Sequence, residues 1–154
     1  GKLLDITPNT KDNAIETKGE SWYRASGVKG SGAAGGSCQA MAMLIRAYLG
    51  WERSSPWLMA AAEDQIENYP LEYKGLDVHR YYFADLVMYQ AGGEKWKKWY
   101  ELRKMIIDAQ RKDGDFKGSW DLTCCSLDCG GRILYTAMIA MAIDIPLCRW
   151  VGIH

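Results

Sequence analysis

At 154 residues the chain is long enough for one domain with a sizeable buried core, and its length calls for no second domain. Lysine plus arginine equals aspartate plus glutamate at 19 each, so no net field recruits nucleic acid or an anionic membrane, and neither is expected as a partner. The apolar runs are interrupted by Arg46, Asp85 or Asp144 before any could span a bilayer, and the N-terminal GKLLDITPNTKDN lacks a basic-then-apolar signal pattern.

Residues 1–17 are polar and aperiodic, with Pro8, Asn9, Asp12 and Asn13, and read as an N-terminal arm; 18–154 read as the folded domain. Residues 38–49 are apolar almost throughout and stop at Gly50, which predicts a helix buried on most sides. Ser54 and Ser55 followed by Pro56 open a second helix, with Leu58, Ala61, Ala62, Gln65 and Ile66 at helical steps until Tyr69 and Pro70. After a connection over 71–78, residues 80–90 form a third helix that ends at Gly92 and Gly93. Residues 94–144 then read as one unit, a helical hairpin around which the chain is organised. Its first arm places Trp96, Trp99, Tyr100, Arg103, Ile106, Ile107 and Gln110 at steps of three and four. Its turn carries Asp113, Gly114 and Gly118 and ends in Trp120, an aromatic able to fold back as an anchor. Its last arm, 131–144, opens after Gly130 and Gly131 and is apolar all round, so burial on every side is expected.

An internal echo runs through this order. Lys18-Gly19-Glu20-Ser21-Trp22 is matched by Lys117-Gly118-Ser119-Trp120, and each is followed by a small-residue loop that reaches a Gly-Gly pair, Gly35-Gly36 and Gly130-Gly131. The apolar helices begin near Gly36, His79 and Gly131, 43 and 52 residues apart, a period suited to helical hairpins. Three inner and two outer helices make an open arc, and an open arc leaves an apolar edge at each end.

Gln110, Gly114, Phe116 and then Gly118-Ser119-Trp120 resemble the QW motif of the squalene cyclase and protein prenyltransferase repeat superfamily. The run from Lys95 to Ile143 is most similar to uncharacterised bacterial toroid-repeat domains of that superfamily. The resemblance implies an all-α fold, an incomplete (α/α) toroid, in which Gln110 and Trp120 close an outer-to-inner turn and Trp22 plays the matching role before the first inner helix. It also accounts for an aromatic balance of seven Trp and nine Tyr against two Phe.

The chemistry that the resemblance would bring is not in the sequence. A protonating cyclase of this type requires an Asp-x-Asp-Asp acid motif, and the nearest match, Asp113-Gly114-Asp115, lies in the turn. A zinc prenyltransferase requires an Asp, a Cys two residues on and a distant His, whereas Asp128 and Cys129 are adjacent. Cys124, Cys125 and Cys129, with His79 and His154, offer thiolate and imidazole ligands, but their spacing is not that of paired zinc knuckles. No catalytic residue, metal or cofactor is therefore expected, and the odd count of five cysteines leaves the compartment open. The first function expected is a non-catalytic scaffold or binding module whose open edges meet another copy or the remainder of a longer protein. The alternative is a part of a terpenoid cyclase or prenyltransferase-like enzyme that binds an isoprenoid or other apolar small molecule, with Tyr81, Tyr82 and Phe83 as its wall.

Overall fold

The computed structural model describes residues 36–50, 52–123 and 130–147, and every regular element within them is helical. The order is α1 (Gly36–Tyr48), α2 (Pro56–Glu67), α3 (Val78–Ala91), α4 (Gly93–Asp108) and α5 (Gly131–Asp144), closed by a short 3-10 turn at Ile145–Leu147. Each expected helix is present, with bounds that differ by a residue or two at starts and ends. Helix α3 begins at Val78 rather than Arg80 because Asp77 caps it, its Oδ1 accepting from the backbone N–H groups of His79 at 3.0 Å and Arg80 at 3.1 Å. Helix α2 begins at the expected proline, but Ser55 does not cap it; its hydroxyl donates to the Glu52 carbonyl at 2.6 Å. Between α3 and α4 the chain reverses through Gly92 and Gly93, both at positive φ (66° and 53°), which leaves no room for a conventional loop.

The centre of the structure is α3, which packs against all four other helices. Ser37 Oγ donates to Asp77 Oδ2 at 2.5 Å, tying the first turn of α1 to the start of α3. At the same end, the Tyr135 hydroxyl donates to the Leu76 carbonyl at 3.4 Å and bonds Thr123 at 2.8 Å, bringing the first turns of α5 and α3 together. The helices α1, α3 and α5 therefore run parallel in one row, with α3 in the middle. The antiparallel α2 and α4 form a second layer, touching each other and joined by the Lys95–Glu63 ion pair. Met43, Leu58, Met88, Trp99, Ile106 and Ile139 are fully enclosed between the layers, and each such side chain contributes about 1.5–3 kcal/mol.

Two expectations are corrected here. The arms of the 94–144 hairpin do not lie along each other, because α3 packs between them and takes the central place. Nor is α5 buried all round: Tyr135, Ile139 and Ala142 face the core, while Ile133 is 85% exposed and Met141 46% exposed. Among the described residues, α5 is the last helix of the row and has a neighbouring row helix on one flank only. Met43 of α1 and Ile139 of α5 are fully buried against α3, whereas Ile45 and Tyr48 of α1 and Leu49 just after it are exposed.

Candidate functional site

Two arrangements concentrate the polar chemistry of the molecule. The first is buried. Asp85 lies at the middle of α3, on the face that meets α4, and its Oδ1 accepts the Trp99 indole N–H at 2.6 Å. Arg103, one helical turn further along α4, places Nε 3.4 Å from the same oxygen, and both side chains are sealed from solvent. The Arg103 guanidinium lies 5.2 Å from the Trp96 ring centre and 5.4 Å from that of Tyr100, so two aromatic rings cover its outer side. Its Nη2 reaches across to α5 and donates to the carbonyls of Ala142 and Ile143, 3.0 Å each, at the end of the helix, where the Ala142 carbonyl also accepts the Ile145 N–H. The Tyr81 hydroxyl faces the pair on the Arg103 side. Burial pushes the Asp85 carboxyl up to about 7, against the pull of Arg103 and the Trp99 N–H. Burial, with the Asp85 charge adding to it, pushes the Tyr81 phenol up as well.

A second buried group joins α1 to α2. Asp64 accepts from Gln39 Nε2 at 2.9 Å and from Asn68 Nδ2 at 2.6 Å, and Gln65 donates to the Gln39 side-chain carbonyl. The Gln39, Asp64 and Gln65 groups so joined are buried and compensate one another, which is a structural role.

The second arrangement is the turn between α4 and α5. Gly118 N–H donates to the Arg111 carbonyl and Arg111 N–H to the Ser119 carbonyl, both at 2.9 Å, closing the loop on itself. Trp120 is 4% exposed; its indole N–H donates to the Ile106 carbonyl at 2.6 Å, and its backbone N–H donates to Thr136 Oγ1 at 3.3 Å. Gln110 donates to the Gly118 carbonyl at 2.8 Å. Gln110 and Trp120 thus both close the turn, each through a backbone carbonyl. Asp121 pairs with Arg132 and, at 3.4 Å, with Arg111; the Arg132 hydrogen bond holds its carboxyl below the usual range. Beside this turn lies an open groove of about 500 Å³, walled by Gln110, Gly118 and Trp120 on one side and by Thr136, Ala140, Met141, Ile143 and Asp144 of α5 on the other. A second open groove of about 590 Å³ runs over Trp96, Lys97 and Tyr100 on α4.

Other expected site residues are dispersed. Tyr81 is buried in the core, and Tyr82 and Phe83 pack edge to face at 5.5 Å; neither described groove is lined by these three, so they do not form a shared ligand wall there. Gly114 sits at the exposed tip of the turn at φ 67°. Gly130 and Gly131 open α5 at φ 89° and 58°, and a Cβ on Gly130 would lie 2.8 Å from the Leu134 Cβ. Asp113 and Asp115 are exposed in the turn, and His79 lies beside the cap residue Asp77 at 3.9 Å. Trp22, Cys124, Cys125, Cys129 and His154 lie outside the described residues. Among the described residues, no three His, Cys, Asp or Glu side chains are grouped to hold a metal. Also among them, no helix is long and apolar enough to cross a membrane.

The cluster that sequence reasoning missed is Asp85 with Trp99 and Arg103. Its signals were an acid inside the apolar run 80–90 and a base inside the Trp96–Ile106 stripe, both on faces that had to be buried. No family model, curated protein or solved structure matches the chain.

Proposed function

We propose that this chain is a non-catalytic helical-repeat module, an open (α/α) arc, that associates with a second copy of itself through the outer face of α5. The observation that carries this reading is the apolar edge of the helix row: Ile133, Met141 and Leu147 are exposed on and just after α5, and Met141 also walls the groove beside Trp120. Contiguous exposed apolar surface gains about 25 cal/mol per Å² when covered, so a partner surface is favoured there. The parallel row supports the same reading, since Ile45 and Tyr48 of α1 and Leu49 just after it are exposed apolar residues at the row's other end among the described residues. The buried Gln39, Asp64, Gln65, Asp85 and Arg103 side chains join helices, which favours the surface rather than an internal pocket as the place of function.

Light scattering of the full chain at micromolar concentration tests this, with Ile133→Glu and Met141→Glu alongside. A dimer or larger species that both substitutions dissociate supports it. A monomer in all three samples refutes it, and a monomer that binds an isoprenoid would instead support the enzyme-part reading.

A further inference from the structure

The buried Asp85–Arg103 pair lies directly behind the groove. Arg103 spans the distance from α4 to α5 and grips the carbonyls of Ala142 and Ile143, while Met141, Ile143 and Asp144 of the same turn wall the groove. One guanidinium therefore connects an acid at the centre of the core to the proposed docking edge.

We propose that this pair is a proton-operated latch on the last turn of α5: Asp85 as carboxylate holds Arg103 and with it the groove wall, and a proton taken from water onto Asp85 slackens that hold. With Asp85 charged, releasing Arg103 would strand a carboxylate in the core, so the grip is tight. With Asp85 neutral, Arg103 is the uncompensated charge, and it can shift outward along Tyr100, a residue that is 43% exposed. The groups that act on Asp85 are Arg103 and Trp99 from α4 and Tyr81 from α3 itself. The buried Arg46 of α1 and Asp64 of α2 are not among them, and the Tyr135 hydroxyl of α5 is engaged at Leu76 and Thr123. Burial holds the Asp85 acid near neutrality, where small changes of pH move its charge.

The role of the latch in docking rests on the reading of this edge given above; the latch itself does not. The Trp99 indole N–H, bonded to Asp85, is a direct reporter, so its resonance is followed in the labelled full chain between about pH 5 and about pH 9. We expect a titration centred at about 7 that Asp85→Asn abolishes. We also expect protection of the last turn of α5 against hydrogen exchange to fall about tenfold on the acid side, in the wild type only. A flat indole resonance overturns the latch, and this measurement needs no variant to fold. Protection that changes equally in Asp85→Asn overturns it too. Light scattering on the same samples separates the two readings. An intact indole titration in a chain that is monomeric throughout supports the latch and overturns docking, and a dimer with a flat indole does the reverse.

Discussion

Replacing Asp85 by leucine should be among the most damaging single changes in this protein, and the structure says by how much. The substitution strands the Arg103 guanidinium, which cannot discharge itself, at a cost of about 3–5 kcal/mol, and leaves the Trp99 indole N–H without its acceptor, at about 1–3 kcal/mol more. Against a total stability of about 5–15 kcal/mol, this brings the fold close to its limit. Arg103→Met should behave differently, because the stranded partner is then an acid that can take up a proton. Its cost should be near that of Asp85→Leu at about pH 8 and fall by about 1.4 kcal/mol for each unit of acidification through the range where Asp85 titrates. The double variant removes both charges and should cost much less than the sum of the two. Urea unfolding followed by far-UV circular dichroism reads these differences: a loss of about 4 kcal/mol with a slope of about 2 kcal/mol per molar lowers the midpoint by about 2 M. A midpoint that moves by less than about 0.5 M for Asp85→Leu would refute the buried, coupled pair.

Other outcomes follow from single contacts. Trp120→Ala should cost about 3–5 kcal/mol by thermal melting, while Trp120→Phe, which keeps a smaller aromatic ring in the site but loses the bond to the Ile106 carbonyl, should cost less, about 1–3 kcal/mol. Gly130→Ala should destabilise by more than about 1 kcal/mol, since it forces an L-residue to φ 89° and against Leu134, whereas Gly118→Ala meets only the strain of its φ. Asp77→Ala should cost about 1–2 kcal/mol, because it removes both the α3 cap and the acceptor of Ser37. For wild-type stability against pH, Asp85 acts opposite to the usual carboxylate. Its folded value of about 7 lies above the ordinary 3.8, so the stability it contributes is full below about pH 4, is lost as pH rises, and is gone above about 7. Denaturant midpoints across that range should show the decline in the wild type and not in Asp85→Asn.

The helices were legible in the sequence because their signals are local. Pro56, the Gly92-Gly93 pair and the three-and-four spacing from Trp96 to Ile106 each act within a turn or two, and each stands where the structure has it. The exposed face of α5 was not legible, since apolar spacing states what a helix can bury and not whether a neighbour is there to bury it. Met43 and Met141 make the point: alike in the sequence, one is enclosed by the middle helix and the other lies on the free flank. The Asp85–Arg103 pair was hidden for a related reason. The two residues meet only through the antiparallel register of α3 and α4, which the reversal at Gly92 and Gly93 sets, and a third helix had to end beside them to receive Nη2. The closed turn at Trp120 was foreseen as an anchor, but its acceptor, the Ile106 carbonyl, is a backbone group that no residue type announces.

The central place of α3 also governs how the chain folds. The neighbours α1 and α3 in the row are separated in sequence by the whole of α2, and α3 and α5 by α4 and its turn, so no two row helices meet until a long loop has closed. Helices α1 and α2 alone share little core, and a chain emerging from synthesis gains most of its burial only when α3 arrives to receive both. The contact order is accordingly higher than in a bundle of sequential neighbours, and folding is slower than its helix content suggests. Because every helix leans on α3, a break there has no surviving half, and the domain should unfold as one cooperative unit rather than fraying hairpin by hairpin.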